Sequence, residues 1–178
     1  FSTIVFVLYF LPVVLILYYI FSFSRRLQNI LLFIASLVFY AWGEVKFVFV
    51  MCLSILVNTL MGYLVDKYRV RKMKSKVFMF LAVSYNLLVL FVFKYLMFSV
   101  RNINLLFSAN ITLKNIALPL GISFYTFQAI SYVVDVYRDD AKVEKNPFYV
   151  GLYIAFFPQL IAGPIVRYNT IADQIKNR

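Results

Sequence analysis

Hydrophobic positions in this chain do not alternate with polar ones; they run together in blocks. Residues 4–23, IVFVLYFLPVVLILYYIFSF, carry no charge and are long enough to cross a bilayer as a helix. Pro12 lies inside this block and predicts a kink, because proline lacks an amide donor and collides with the preceding turn. The block stops at Ser24-Arg25-Arg26. Residues 29–43, NILLFIASLVFYAWG, form a shorter uncharged run ending in Phe39, Tyr40 and Trp42, an aromatic cluster suited to a membrane–water boundary. Gly43 and Glu44 predict a turn, and residues 45–65 the next span, with Lys46 at its edge where the stem can snorkel. Six cations then fall between Asp66 and Lys76. Residues 77–98 read as another span with Lys94 near its outer end, and residues 99–118 as an outer loop lying in the interface. Residues 119–137 are a less oily helix, 138–146 a mixed-charge loop, and 147–166 a hydrophobic run broken by Gly151, Pro158, Gly163 and Pro164. Residues 167–178 are polar.

The pattern predicts one all-α, polytopic transmembrane unit over residues 1–178, with five or six membrane segments and no internal repeat. Runs 29–43 and 45–65 cross out and back, so Arg25, Arg26 and the 66–76 loop share a side. The positive-inside rule makes that side cytoplasmic and leaves the N-terminus outside, in a cell membrane.

Composition agrees. Of 178 residues, 63% are apolar and only 14% charged, against roughly 45–50% and about 25% in soluble domains. That excludes disorder and an ordinary soluble globule. The net charge of +11 would suggest nucleic acid in a soluble protein, but these cations sit between apolar runs, where they set topology and touch anionic lipid; no nucleic-acid partner is expected. The one cysteine, Cys52, lies inside an apolar run and says nothing of redox compartment. The chain opens at Phe1 with an uncharged run that lacks a basic start and a cleavage pattern, so a span rather than a signal peptide is expected there. Asn110-Ile111-Thr112 matches a glycosylation acceptor pattern, which commonly arises by chance.

Polar residues at membrane depth need partners. Ser54, Asn58 and Gly62 recur every four residues and predict a close helix–helix face; Asn86 predicts an interhelical hydrogen bond. Gly121, Tyr125, Gln128, Ser131, Tyr132 and Asp135 fall on one helical face, opposite Ile122, Phe127, Val133 and Val134. This stripe either lines a cavity or is satisfied internally, Asp135 pairing with Arg138. Pro158 and Gly163-Pro164 predict a broken or re-entrant helix over 147–166, whose freed backbone groups are able to bind polar ligands. There is no histidine, and the sequence holds no cysteine pair, phosphate loop or metal-ligand spacing. Residue chemistry alone leaves a transporter, a flippase, a scaffold and an intramembrane enzyme open.

Four ordered strings are more specific. Leu37-Val38-Phe39-Tyr40-Ala41-Trp42-Gly43-Glu44 comes first, then Leu118-Pro119-Leu120-Gly121-Ile122-Ser123-Phe124-Tyr125-Thr126-Phe127-Gln128. Tyr132-Val133-Val134-Asp135-Val136-Tyr137-Arg138 follows, then Phe156-Phe157-Pro158-Gln159-Leu160-Ile161-Ala162-Gly163-Pro164-Ile165-Val166-Arg167-Tyr168. Together they closely resemble the membrane-bound O-acyltransferase family, in particular its alginate O-acetylation branch. The resemblance runs almost end to end. It implies a helical fold with a funnel or tunnel and transfer of an acyl group, expected to be acetyl, from a cytoplasmic donor toward a cell-surface polysaccharide. It implies an acyl thioester as donor substrate, no cofactor and no metal, and an extracytoplasmic acyl-transfer partner protein. The family's catalytic histidine lies beyond the matched strings, so no catalytic residue is carried over, and the chain is expected to be an N-terminal portion, inactive alone. The candidate substrate- or tunnel-lining residues are Gln128, Asp135, Gln159 and Arg167: Gln159 as a donor to a carbonyl oxygen beside the proline break, Arg167 as a fixed guanidinium for an anionic group.

Overall fold

The computed structural model describes residues 4–43, 45–107, 111–112, 117–119, 121–162 and 166–177. Among these the regular elements are all helical. Three rods are long and apolar enough to cross a membrane: Phe6–Phe23, Val45–Lys67 and Lys72–Phe107.

The first rod contains α1 (Leu11–Ile20), preceded by a π-helical turn over Phe6–Phe10 and followed by a 3-10 turn over Phe21–Phe23. Pro12 sits in the first turn of α1, where its missing amide costs no intrahelical bond. The wider π turn takes up the backbone change where a kink was predicted.

Helix α2 (Arg25–Gly43) begins four residues earlier than the apolar run that marked it, taking in Arg25, Arg26 and Gln28 ahead of Asn29. Its 19 residues make it about 28 Å long, though it is not among the three rods apolar enough to cross a membrane. Polar Gln28 and Asn29 are tolerated because both are buried with partners: Gln28 Nε2 donates to the Tyr18 carbonyl, and Asn29 Nδ2 to that of Ile175.

Helix α3 (Val45–Lys67) lies antiparallel to α4 (Lys72–Leu90), and both pack on α6 (Ile122–Arg138). The predicted small-residue face of α3 is the contact face: Ser54, Asn58 and Gly62 are all buried. Asn58 and Asn86 exchange side-chain amides at 3.2 and 2.6 Å. A methyl group on Gly62 would stand 2.7 Å from the Tyr132 ring, so glycine is what lets α6 approach.

The predicted outer loop over 99–118 is a correction in part. Through a π turn (Phe91–Tyr95) α4 runs into α5 (Leu96–Phe107), a rod of 36 residues. At 1.5 Å per residue that is about 54 Å, well beyond a hydrocarbon core of about 30 Å. Leu, Ile, Met and Phe dominate 96–107 and keep the helix going where isolated Arg101, Asn102 and Asn104 suggested a loop. Asn104 then holds the Ile111 backbone from both sides, donating to its carbonyl and accepting from its amide. Asn110 of the glycosylation pattern and Glu44 of the predicted turn lie outside the described residues.

Helix α6 is the hub, touching α3, α4, α7 and α9. Its predicted polar stripe is buried as expected, but the opposite side was misjudged. Ile122 and Val133 are buried too, and Phe124 and Phe127 mark the exposed side. A helix packed on several sides has no single inner face. Asp139 ends α6 in the left-handed region (φ 66°), with Asp139 and Asp140 amides bonded back to Val136 and Asp135 carbonyls.

One end of the bundle gathers the basic α3–α4 turn, the end of α6 and the loop after it. Arg69 bridges Asp66 and Asp139 and donates to the Val136 carbonyl at 3.1 Å. Tyr132 donates its hydroxyl to the Glu144 carbonyl.

Candidate functional site in the broken helix

The run from Pro147 is broken where proline predicted it. Asn146 caps α7 (Pro147–Ala155) by accepting from the Phe148 amide. The helix stops at Phe156, whose ψ of 110° turns the chain out, and α8 (Phe157–Ala162) starts afresh. Pro158 lies in the first turn of α8, so no bond to Ile154 is required of it. The amide exposed by the break is taken up by α2: Phe157 N donates to Ser36 Oγ at 3.2 Å, and Ser36 in turn donates to the Leu32 carbonyl. Gly163 and Pro164 lie outside the described residues.

Beyond the break the chain comes back. Leu160 stands against Gly121 at the start of α6. Val166 accepts from the Tyr153 hydroxyl at 2.8 Å. Helix α9 (Tyr168–Asn177) then packs on α6 and α7, and Ile175 meets Asn29 near the start of α2. The segment thus enters and returns at one end of the bundle, as a re-entrant element does.

This excursion borders a half-open cavity of about 430 Å³. Leu32 of α2, Leu152, Tyr153 and Phe156 at the break, Pro158 and Gln159 of α8, and Val166, Ile171, Gln174 and Ile175 on the return line it. The wall is apolar save for a few amides and the Tyr153 hydroxyl, the pattern of a small-molecule pocket.

Of the residues singled out in the sequence, Gln159 is buried and lines this cavity. Arg167 follows Val166 but is itself exposed, directly before α9. Asp135 is 2% exposed and accepts, at 3.4 Å each, from Ser131 Oγ and the Asn169 amide in the first turn of α9. It does not pair with Arg138, which instead faces Asp140 at 3.8 Å. Gln128 is 1% exposed, two turns before Asp135, and its Oε1 has no hydrogen-bond partner among the described residues. The structure thus brings Gln159 to the cavity and Asp135 to the helix that closes it. Gln128 sits deeper in the hub, and Arg167 points outward.

Three buried tyrosines pack together here, of which the sequence singled out Tyr132 alone. Tyr168 packs edge-on to Tyr132 (4.8 Å between ring centres) and to Tyr153 (5.2 Å), tying the return strand to α6 and α7. Tyr153 lies outside the four strings, and the three tyrosines share no spacing that would link them. No cluster of His, Cys, Asp or Glu suited to a metal occurs among the described residues.

Known proteins match this chain from end to end. It is 38% identical over its whole length to "Probable alginate O-acetylase AlgI" of Pseudomonas putida, and 40% identical to the protein of that name from Pseudomonas aeruginosa. Along its whole length the chain is thus similar to proteins named as alginate O-acetylases. A "Peptidoglycan O-acetyltransferase" of Helicobacter pylori is 30% identical, again over the whole chain. The chain spans 37%, 35% and 39% of the length of these three relatives. No family model and no solved structure matches it. Phe156, Pro158, Gln159 and Val166 of the broken segment form one part of the cavity wall.

Proposed function

We propose that this chain forms the donor-binding part of a membrane O-acyltransferase that acetylates a cell-surface polysaccharide. The observation that carries the reading is the cavity at the α7–α8 break, lined by Gln159 and Tyr153. Its volume of about 430 Å³ suits an acyl thioester arm, and its apolar wall keeps water from the thioester. In the reaction an acceptor hydroxyl oxygen bonds to the acyl carbon, its proton passes to a base, and the thiolate leaves. This chain holds no histidine, so its own part is to bind and orient. Gln159 donates an amide hydrogen to the thioester carbonyl oxygen, where negative charge gathers. Tyr153 fixes the return strand through Val166, and Asp135 holds α9 over the cavity. Arg167, exposed at the rim, attracts the anionic end of a donor.

In the same reading the basic end of the bundle is cytoplasmic, the donor enters there, and an extracytoplasmic partner protein receives the acyl group at the other end. A transporter or flippase would use the same broken helix without acylation.

The test is made in the full-length protein, with acetyl content of the polymer as readout. Gln159→Ala is expected to lower acetylation about 100-fold, as loss of one carbonyl-oxygen donor does. Arg167→Ala should weaken donor use and be overcome by more donor. Acetylation at the unsubstituted level in Gln159→Ala, with the protein present in the membrane at normal amount, overturns the assignment of this cavity.

A further inference from the structure

A second groove lies on the outer side of α4, away from the broken helix. It measures about 380 Å³ and is lined by Met73, Lys76, Val77, Phe80, Leu81 and Ser84. These positions fall at i, i+3, i+4, i+7, i+8 and i+11, one continuous face that points away from α3 and α6. Met73, Val77, Phe80 and Leu81 are all more than half exposed, so this face belongs to the surroundings of the bundle and not to its core.

Charge marks one end of the groove. Lys76 stands at its head, with its ammonium 6.0 Å from the Phe80 ring centre. Of the six cations between residues 66 and 76, Arg69 is the one that pairs with Asp66 and Asp139; Lys67, Arg71, Lys72, Lys74 and Lys76 form no ion pair among the described residues. Val70 is 96% exposed and Met73 76%, set among these cations. Bare aliphatic side chains interleaved with unpaired cations suit the boundary between headgroups and acyl chains and are unfavourable in water.

We propose that this groove is a binding site for an anionic phospholipid, its phosphate at Lys76 and one acyl chain along Val77, Phe80 and Leu81. The cation supplies charge complementarity to the phosphate, and the apolar floor below it matches a hydrocarbon tail. A zwitterionic lipid offers the same tail with no net charge and is held less well. A free phosphate offers charge without the tail and gains nothing from the floor.

Native mass spectrometry of the full chain, released from vesicles of mixed phosphatidylglycerol and phosphatidylcholine, reads the lipid that stays bound. Phosphatidylglycerol is expected in excess. Lys76→Gln should lower that excess about fivefold, the value of one lysine at an anionic membrane surface. Lys142→Gln removes one charge from the loop after α6 and should leave it unchanged. Leu81→Trp, which fills the groove and keeps every cation, should also release the lipid. Glycerol phosphate added in millimolar excess should not compete. Equal retention of both lipids, equal effects of Lys76→Gln and Lys142→Gln, or full competition by glycerol phosphate would each overturn the site. The first means ordinary boundary lipid, the second a diffuse field, the third a plain anion site.

Discussion

Asn29 and Asp135 grip opposite ends of α9. Asn29 Nδ2 donates to the Ile175 carbonyl at 2.9 Å in the last turn, and Asp135 Oδ2 accepts from the Asn169 amide in the first. Helix ends leave backbone groups without intrahelical partners, and here side chains from α2 and α6 supply them. Both side chains are buried, so removing either strands a polar group and costs about 1–3 kcal/mol. Asn29→Leu and Asp135→Ala should each raise hydrogen exchange in α9, and Asp135→Asn, which keeps an acceptor, should do so less. Unchanged exchange in both variants would mean that α9 is held by its aromatic contacts alone.

The Asn58–Asn86 pair gives a second expectation. Each amide also bonds its own helix, Asn58 to the Ser54 carbonyl and Asn86 to that of Ala82. Interhelical bonds of this kind in membranes contribute about 0.6–2 kcal/mol. Asn86→Leu should destabilise the chain by that order, and Asn58→Leu added to it should cost less than its single-variant value. Additive losses in a double-mutant cycle, read by unfolding in detergent, would show that the pair is not coupled.

Gly62 sets the spacing between α3 and α6. A methyl group there meets the Tyr132 ring at 2.7 Å and disturbs its bond to the Glu144 carbonyl. Gly62→Ala is expected to lower stability by about 1–3 kcal/mol, despite alanine's better helix propensity. Tyr132→Phe removes the hydroxyl alone and should cost less. A stabilised Gly62→Ala would mean that the ring yields without loss.

Block lengths made the spans legible, because a run of apolar residues leaves few alternatives to a membrane helix. Asn58, Asn86 and Gly62 were also readable, since small and amide residues at helical spacing have few uses in hydrocarbon. Pro158 located the break within two residues. The partner of Asp135 was not readable: Arg138 is near in sequence, but the carboxylate turns to a backbone amide of α9 supplied by chain that returns from the break. Asn29 was hidden for the same reason, because its partner lies 146 residues away. The cavity depends on such returns and not on any string taken alone. Residues 99–107 were misread because polar residues on one side of a helix resemble a loop when counted without regard to face.

Asp139 ends α6 with φ of 66°, a conformation glycine adopts freely and other residues at a cost of about 1–2 kcal/mol. Its side chain also pairs with Arg69. Asp139→Gly relieves the backbone and loses the ion pair; Asp139→Ala keeps the strain and loses the pair as well. The alanine variant should therefore unfold more easily than the glycine variant, by about 1 kcal/mol. The reverse order in thermal unfolding would show that the ion pair and not the backbone fixes this turn.

The long rod through α4 and α5 makes the firmest prediction about placement. Its basic start and its far end at Phe107 are about 54 Å apart, so both cannot lie within a hydrocarbon layer of about 30 Å. The start is fixed at a membrane boundary by unpaired Lys72, Lys74 and Lys76, which strongly disfavour hydrocarbon. The excess length, about 24 Å by difference, then falls beyond the opposite boundary or is taken up by tilt. Tilt alone would have to approach 55°, beyond the range of about 0–40° seen for membrane helices. With Cys52, the lone native cysteine, replaced by serine, Lys74→Cys and Leu106→Cys are expected to react with membrane-impermeant maleimide from opposite sides of sealed vesicles. Labelling of both from one side would place α5 along the surface and overturn the crossing.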